Sequence, residues 1–183
     1  GSGTSYTACA TAAPYMERIL KVEVTPIIPS SFGSLFGKTP LVIAVSQSGR
    51  STNTISAIEK LKEAGAQVVT LTDPRETPVG NAGTFSQLHP LPLGVVEGAL
   101  SVHLAAEQES VGPRSRGYSA TVFTLYLMAL ECGFYQGTIS KECYDQEIAK
   151  YAEIIENGEI YYKACQDFYD CNFENLKKAK KYI

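Results

Sequence analysis

Between Leu41 and Leu71 the spacing of apolar and polar positions changes twice. LVIAV (Leu41–Val45) is a continuous apolar run, the pattern of a strand buried on both faces. Ile55, Ile58, Leu61 and Lys62 then fall at helical spacing, with Gly65 placed as a C-terminal cap. QVVTL (Gln67–Leu71) returns to a strand pattern. A strand, a helix of about three turns and a second strand within about 30 residues form a βαβ unit, whose handedness rule predicts parallel strands.

Around this unit the pattern is more varied. Thr7–Leu20 has the composition of a helix, and Pro14 inside it predicts either a kink or the true first turn. KVEVTPII (Lys21–Ile28) reads as a strand by its β-branched content. DPRETPVGNAG begins as a turn, residues 85–98 show no clean period, Ala99–Leu104 reads as a strand, and AEQESVGPRSRG is polar and rich in helix breakers. YSATVFTLYLMALEC (Tyr118–Cys132) predicts an apolar helix buried on most sides and ended by Gly133 and Gly137. From Ser140 the chain becomes helical, charged and tyrosine-rich, with Ile148, Tyr151, Ile155 and Tyr162 sharing a face by spacing. The tyrosines of residues 144–169 are expected to pack or to form dimer contacts. Residues 1–133 are therefore read as an α/β core and residues 134–183 as a helical extension. GSGTSY resembles the turn after a strand that does not precede it here, and a parallel sheet lacking an inner strand would leave backbone groups unpaired. Further residues upstream are expected.

Composition narrows the function classes. The chain has 183 residues, 44% hydrophobic and 19% charged, with a net charge of −3, which fits one globular domain or slightly more and speaks against nucleic-acid binding by bulk charge. The run of Lys177, Lys178, Lys180 and Lys181 reads as the wet face of a helix. No apolar stretch approaches the ~20 residues of a membrane span, and the first residues lack the basic and apolar segments of a secretory signal. Five cysteines without a CxxC indicate neither a disulfide framework nor a zinc site, and they read as reduced thiols of a cytoplasmic protein. With only His89 and His103, a histidine-based metal site is not expected. His103 alternates with Val102 and Leu104 and reads as structural, and His89 lies among breakers.

The segment SQSGRSTNT, residues 46–54, joins the first strand of the βαβ unit to its helix. Its first seven residues carry four hydroxyls, and it has no carboxylate, histidine or soft metal ligand. At a helix N-terminus unpaired N–H groups and the positive end of the helix dipole attract anions. Ser46, Gln47, Ser48 and Ser51 are thus candidate phosphate ligands, and Gly49 allows close backbone approach. The simpler reading of Ser51 or Thr52 is an N-cap. A Walker-type loop is excluded because no GxxxxGK[ST] occurs. GSGTSY has only two glycines of the dinucleotide fingerprint, with Tyr6 at the third place. It also reads as a second hydroxyl-rich loop toward the same ligand.

GSGTSY, LVIAVSQSG with the hydroxyl of Ser51, and GPRSRGYSATV occur in this order over about residues 1–130. Together they resemble a sugar isomerase (SIS) domain. The resemblance implies a three-layer αβα sandwich around a mostly parallel five-stranded sheet, Rossmann-like or flavodoxin-like, with the first strand outside this chain. It implies a phosphorylated sugar or aminosugar as ligand, no cofactor, no metal, no nucleic acid or membrane partner, and a homodimer or higher homo-oligomer. By position, Ser46, Gln47, Ser48 and Ser51 would hold the phosphate. Gly3, Thr4, Ser5, Gly112 and Arg114 would line the sugar pocket. Arg50 stands where the aminosugar synthases carry glutamate, which makes it a candidate for specificity, and Arg116 replaces a lysine. Glu109 is the one weak candidate for catalysis. The C-terminal helices resemble the linker into a second SIS domain. The chain is accordingly expected to be the first half of a phosphosugar isomerase, deaminase or deglycase, with the catalytic acid and base largely outside it. A sensor of phosphosugars without catalytic activity is the alternative, and a dinucleotide-binding protein is disfavoured.

Overall fold

The computed structural model describes residues 1–31, 41–72, 78 and 115–178. Its elements are α1 (Thr4–Leu20), a single 3-10 turn (Pro29–Ser31), β1 (Leu41–Ser46), α2 (Thr52–Glu63), β2 (Gln67–Thr72), α3 (Ser115–Gln136), α4 (Lys141–Glu156) and α5 (Gly158–Lys178). The βαβ unit forms as its periodicity predicts. β1 and β2 pair in parallel, from Leu41 opposite Gln67 to Ser46 opposite Thr72. Side chains alternate across a strand, so Val42 and Ala44 share one face and pack with Ile55, Ile58 and Leu61 of α2 and Val68 of β2. Val45, on the opposite face of β1, is fully buried as well. Gly65, at φ 84°, ends α2. Its N–H donates to the Lys62 carbonyl and that of Ala66 to the Leu61 carbonyl, which satisfies the last carbonyls of the helix.

Helix α1 packs along α3. Ala8, Ala12, Ala13, Met16 and Ile19 form its buried stripe, and on α3 the stripe runs through Gly117, Thr121, Leu125, Met128 and Gly133. Small residues on both helices let the backbones come close. Thr11 and Tyr118 hydrogen-bond through their hydroxyls at 2.8 Å. The rings of Tyr15 and Tyr126 stand 4.2 Å apart, with the Arg18 guanidinium 4.8 Å above Tyr15.

Three expectations are corrected. α1 begins at Thr4, three residues before the expected start, and runs through Pro14. Pro14 therefore does not mark the first turn. It sits on the exposed side of α1, where an unpaired carbonyl costs least. KVEVTPII is not a strand. Its β-branched residues have no described neighbouring strand to pleat against, Val22 is 55% exposed, and the Val24 N–H donates to the Glu17 carboxylate at 3.0 Å instead. Gly133 does not end α3, which continues to Gln136 before Gly137 at φ 71° stops it. The expected strand Ala99–Leu104 and the turn at 73–83, except Pro78, lie outside the described residues.

The chain divides into two compact units, Gly1–Thr138 and Ile139–Ile183. In the second, the Ser140 side chain caps α4 by accepting from the Cys143 N–H. Asn157 then breaks the helix before α5, so Tyr162 lies on a different helix from Ile148, Tyr151 and Ile155. Ile148, Tyr151 and Ile155 keep the common face of α4 that their spacing predicts, Tyr162 is separated from them by the helix break, and Ile155 and Tyr162 are 71% and 69% exposed.

Candidate functional site

The strand-to-helix turn folds for local reasons. The Gly49 N–H donates to the Ser46 carbonyl at 3.0 Å, closing a tight turn through Gln47 and Ser48. Gly49 has φ 64°, a conformation that favours glycine. Ser51 then caps α2. Its Oγ accepts from the Thr54 N–H at 3.4 Å and from the Thr54 hydroxyl at 2.9 Å. Gly3, at φ 55°, starts α1 with no side-chain capping bond.

These two starts meet at a pocket of about 170 Å³. It is lined by Ser2, Thr4, Ser5, Ser46, Gln47, Ser48, Ser51, Gly117 and Thr121. Three helices contribute: the first turn of α1, the N-cap of α2 and the first two turns of α3. Each helix N-terminus carries roughly half a positive charge, and seven of the nine lining residues are serine or threonine. Among the described lining residues no side chain is charged near neutral pH, and what they bring to an anion is backbone dipoles and hydroxyl protons. The volume is below the ~300–1,000 Å³ of a drug-sized ligand site, and it suits one anionic group rather than a whole sugar. Thr121 turns its own proton away, donating to the Gly117 carbonyl at 2.7 Å.

Of the residues expected at the site, Thr4, Ser5, Ser46, Gln47, Ser48 and Ser51 line this pocket. Gly3 does not line it. Arg50 is exposed and is not among the lining residues. Arg116 is exposed at the start of α3. Glu109, Gly112, Arg114, His89 and His103 lie outside the described residues. Ser2, Gly117 and Thr121 also line the pocket, although their sequence pattern does not mark them as site residues. Ser2 stood in the quoted GSGTSY and the other two in GPRSRGYSATV, but nothing local marks which residues of a helix's first two turns face a loop on another element. Among the described residues no group of acidic, cysteine and histidine side chains could hold a metal ion, and no helix is long and apolar enough to cross a membrane. All five cysteines are free thiols. Burial pushes the thiols of Cys9 and Cys132 above the ordinary range, and Glu131 adds to the effect at Cys132. Neither is a lining residue, and a raised pKa makes a thiol a poorer nucleophile.

The SIS domain family model matches residues 1–86. The isomerizing glutamine–fructose-6-phosphate aminotransferase of Pyrobaculum aerophilum is 40% identical over 76 residues, which are 40% of this chain and 12% of that protein. Its counterpart in Caldanaerobacter subterraneus subsp. tengcongensis is 22% identical over 178 residues, 92% of this chain and 27% of that one. Among solved structures, a Clostridium difficile 630 protein provisionally assigned as a phosphosugar isomerase superposes with a TM-score of 0.81 at 25% identity, covering 96% of this chain and 47% of its own. A Salmonella typhimurium LT2 protein, provisionally described as sugar-binding, superposes at 0.78 with 21% identity over 98% of this chain and 50% of its own, a likeness of fold alone. This chain thus spans about half the length of those two structures.

Proposed function

Residues 1–86 carry a SIS domain, and from that premise we propose that the pocket binds the phosphate of a phosphorylated sugar or aminosugar. The observation that carries this reading is the meeting of three helix N-terminal regions and seven hydroxyl side chains around one pocket. Hydroxyls and N–H groups hold a phosphate by donation alone, with no metal required. Ser46, Gln47, Ser48 and Ser51 are assigned to the phosphate, and Thr4 and Ser5 to its completion or to the sugar. Gly3, Gly112 and Arg114 remain candidates for the sugar and Arg50 for specificity.

The same reading places the described strands in a five-stranded parallel sheet of an αβα sandwich. It makes residues 134–183 the lead into a second domain of the same kind, in a cytoplasmic homo-oligomer. Within such a protein the phosphate is a remote handle: binding energy there orients the reacting end of the sugar. The reaction class would be proton transfer between C1 and C2 of the open-chain sugar, leading to isomerisation, deamination or deglycation. That step needs an acid or base near neutral pKa. Glu109 is the one candidate in this chain, and the remainder would come from the other half or a neighbouring subunit. A sensing domain without catalysis is the second reading; the described lining residues offer hydrogen-bond donors and acceptors, which serve binding as such.

The test is calorimetric titration of the full chain with glucose 6-phosphate and with glucose. Ser48→Ala is expected to weaken glucose 6-phosphate binding by about tenfold or more, the size of one hydrogen bond to a charged group, and to leave glucose binding unchanged. Equal losses for both ligands overturn the phosphate assignment.

A further inference from the structure

Gln47 of the β1–α2 turn and Gly117 of the first turn of α3 meet at the pocket wall, both among its lining residues. A Cβ placed on Gly117 would stand 2.3 Å from Cδ, from Oε1 and from Nε2 of Gln47. Unbonded carbons in good contact lie ~3.5–4.0 Å apart. The amide as a whole, not one corner of it, therefore fills the place a side chain at 117 would take. The glycine is not there for its backbone: Gly117 is absent from the residues with positive φ. Alanine is the better helix former at such a position. Space is what remains to explain it.

We propose that Gly117 is a positioning residue of the anion pocket. Its missing side chain lets the Gln47 amide lie against the start of α3, and a side chain at 117 turns that amide away and weakens the ligand. The ligand half of this inference rests on the phosphate reading above, and the positioning half does not. The amide is the end of a flexible side chain, so an alanine at 117 is met by rotation of Gln47 and leaves the backbone in place. Among the described lining residues Gln47 is the only amide side chain and can both donate and accept there, so moving it alters what the pocket recognises, not only how tightly.

The experiment is a double-mutant cycle in the full chain: Gly117→Ala, Gln47→Ala and the pair. Without ligand, the Gln47 side-chain NH2 cross-peaks are assigned by their loss in Gln47→Ala. They are expected to move in Gly117→Ala. Thermal unfolding gives the second ligand-free reading. Gly117→Ala should raise Tm by about 2–4 °C more in the Gln47→Ala background than in the parent, the size of the helix-propensity gain once the amide is gone. With inorganic phosphate and glucose 6-phosphate as probes, Gly117→Ala and Gln47→Ala should each weaken binding by about tenfold, the worth of one hydrogen bond. The pair should bind no worse than Gln47→Ala alone. Unmoved cross-peaks, equal Tm changes in both backgrounds or additive binding losses overturn the proposal. A parent chain that binds neither probe overturns the phosphate reading and the ligand half with it, while the cross-peaks and the Tm cycle still decide whether Gly117 positions Gln47.

Discussion

Ser51 shows how a helix cap and an anion site can be one arrangement. A serine hydroxyl has one proton to give and two lone pairs to receive with. The Thr54 N–H and the Thr54 hydroxyl both donate to the Ser51 Oγ. Its acceptor capacity is used within α2, and its remaining capacity is the proton, which suits an acceptor such as a phosphate oxygen. Ser51→Asp separates the two roles. Aspartate is as good an N-cap as serine, but it brings a negative charge and no proton to the pocket. It should therefore keep Tm close to the parent while abolishing glucose 6-phosphate binding in a titration. Ser51→Ala should lose both, with a stability cost of about 1 kcal/mol. Binding of Ser51→Asp at the parent level would remove Ser51 from the site. Nothing in the structure explains Arg50, whose exposed side chain is not among the lining residues.

At the level of elements, the close fit of α1 against α3 positions the pocket. The start of α1 brings Ser2, Thr4 and Ser5 to the turn after β1, and the start of α3 brings Gly117 and Thr121. The far ends of the same helices are joined at Gly133. A Cβ there would stand 2.8 Å from Cγ2 of Ile19 and 3.0 Å from the Thr138 hydroxyl, which itself donates to the Ile19 carbonyl at 2.8 Å. Gly133→Val should overpack this contact and destabilise the chain by about 1–3 kcal/mol, read as a lower midpoint in urea. A raised midpoint would show that the helices have room to spare. This glycine also marks where periodicity misled: Gly133 reads as a helix end in sequence, but here it is a point of close approach inside a helix.

For the whole molecule, two half-buried thiols contribute to the response to alkali. Burial raises the pKa of Cys9 and Cys132 in the folded state, whereas a thiol in the unfolded chain ionises near ~8.5. Below that pH both states hold the proton and the thiols contribute no pH dependence. Above it the unfolded chain releases thiol protons that the folded chain keeps, so the contribution of these thiols to stability falls as pH rises. The paired change Cys9→Ala and Cys132→Ala should flatten that fall in urea midpoints measured at about pH 7.5 and 9.5. An unchanged slope would mean that these thiols ionise equally in both states. Cys165 and Cys171, which are exposed, should react first with a thiol reagent.

What the sequence determined by itself was local. The switch of period from β1 to α2 to β2, the stop at Gly65, the hydroxyl turn and the apolar run of α3 depend on residues a few positions apart, and all are present. The segment motifs GSGTSY, LVIAVSQSG and GPRSRGYSATV also carry the resemblance to a SIS domain by themselves. What only the tertiary structure decided is which distant groups meet. KVEVTPII has a strand's residue types, but a strand needs a neighbour with which to pair. Ser2, Gly117 and Thr121 became lining residues because two helices start beside one turn, a juxtaposition that no spacing along the chain encodes. The hydroxyls were written in the sequence, and the pocket that gathers them was made by packing.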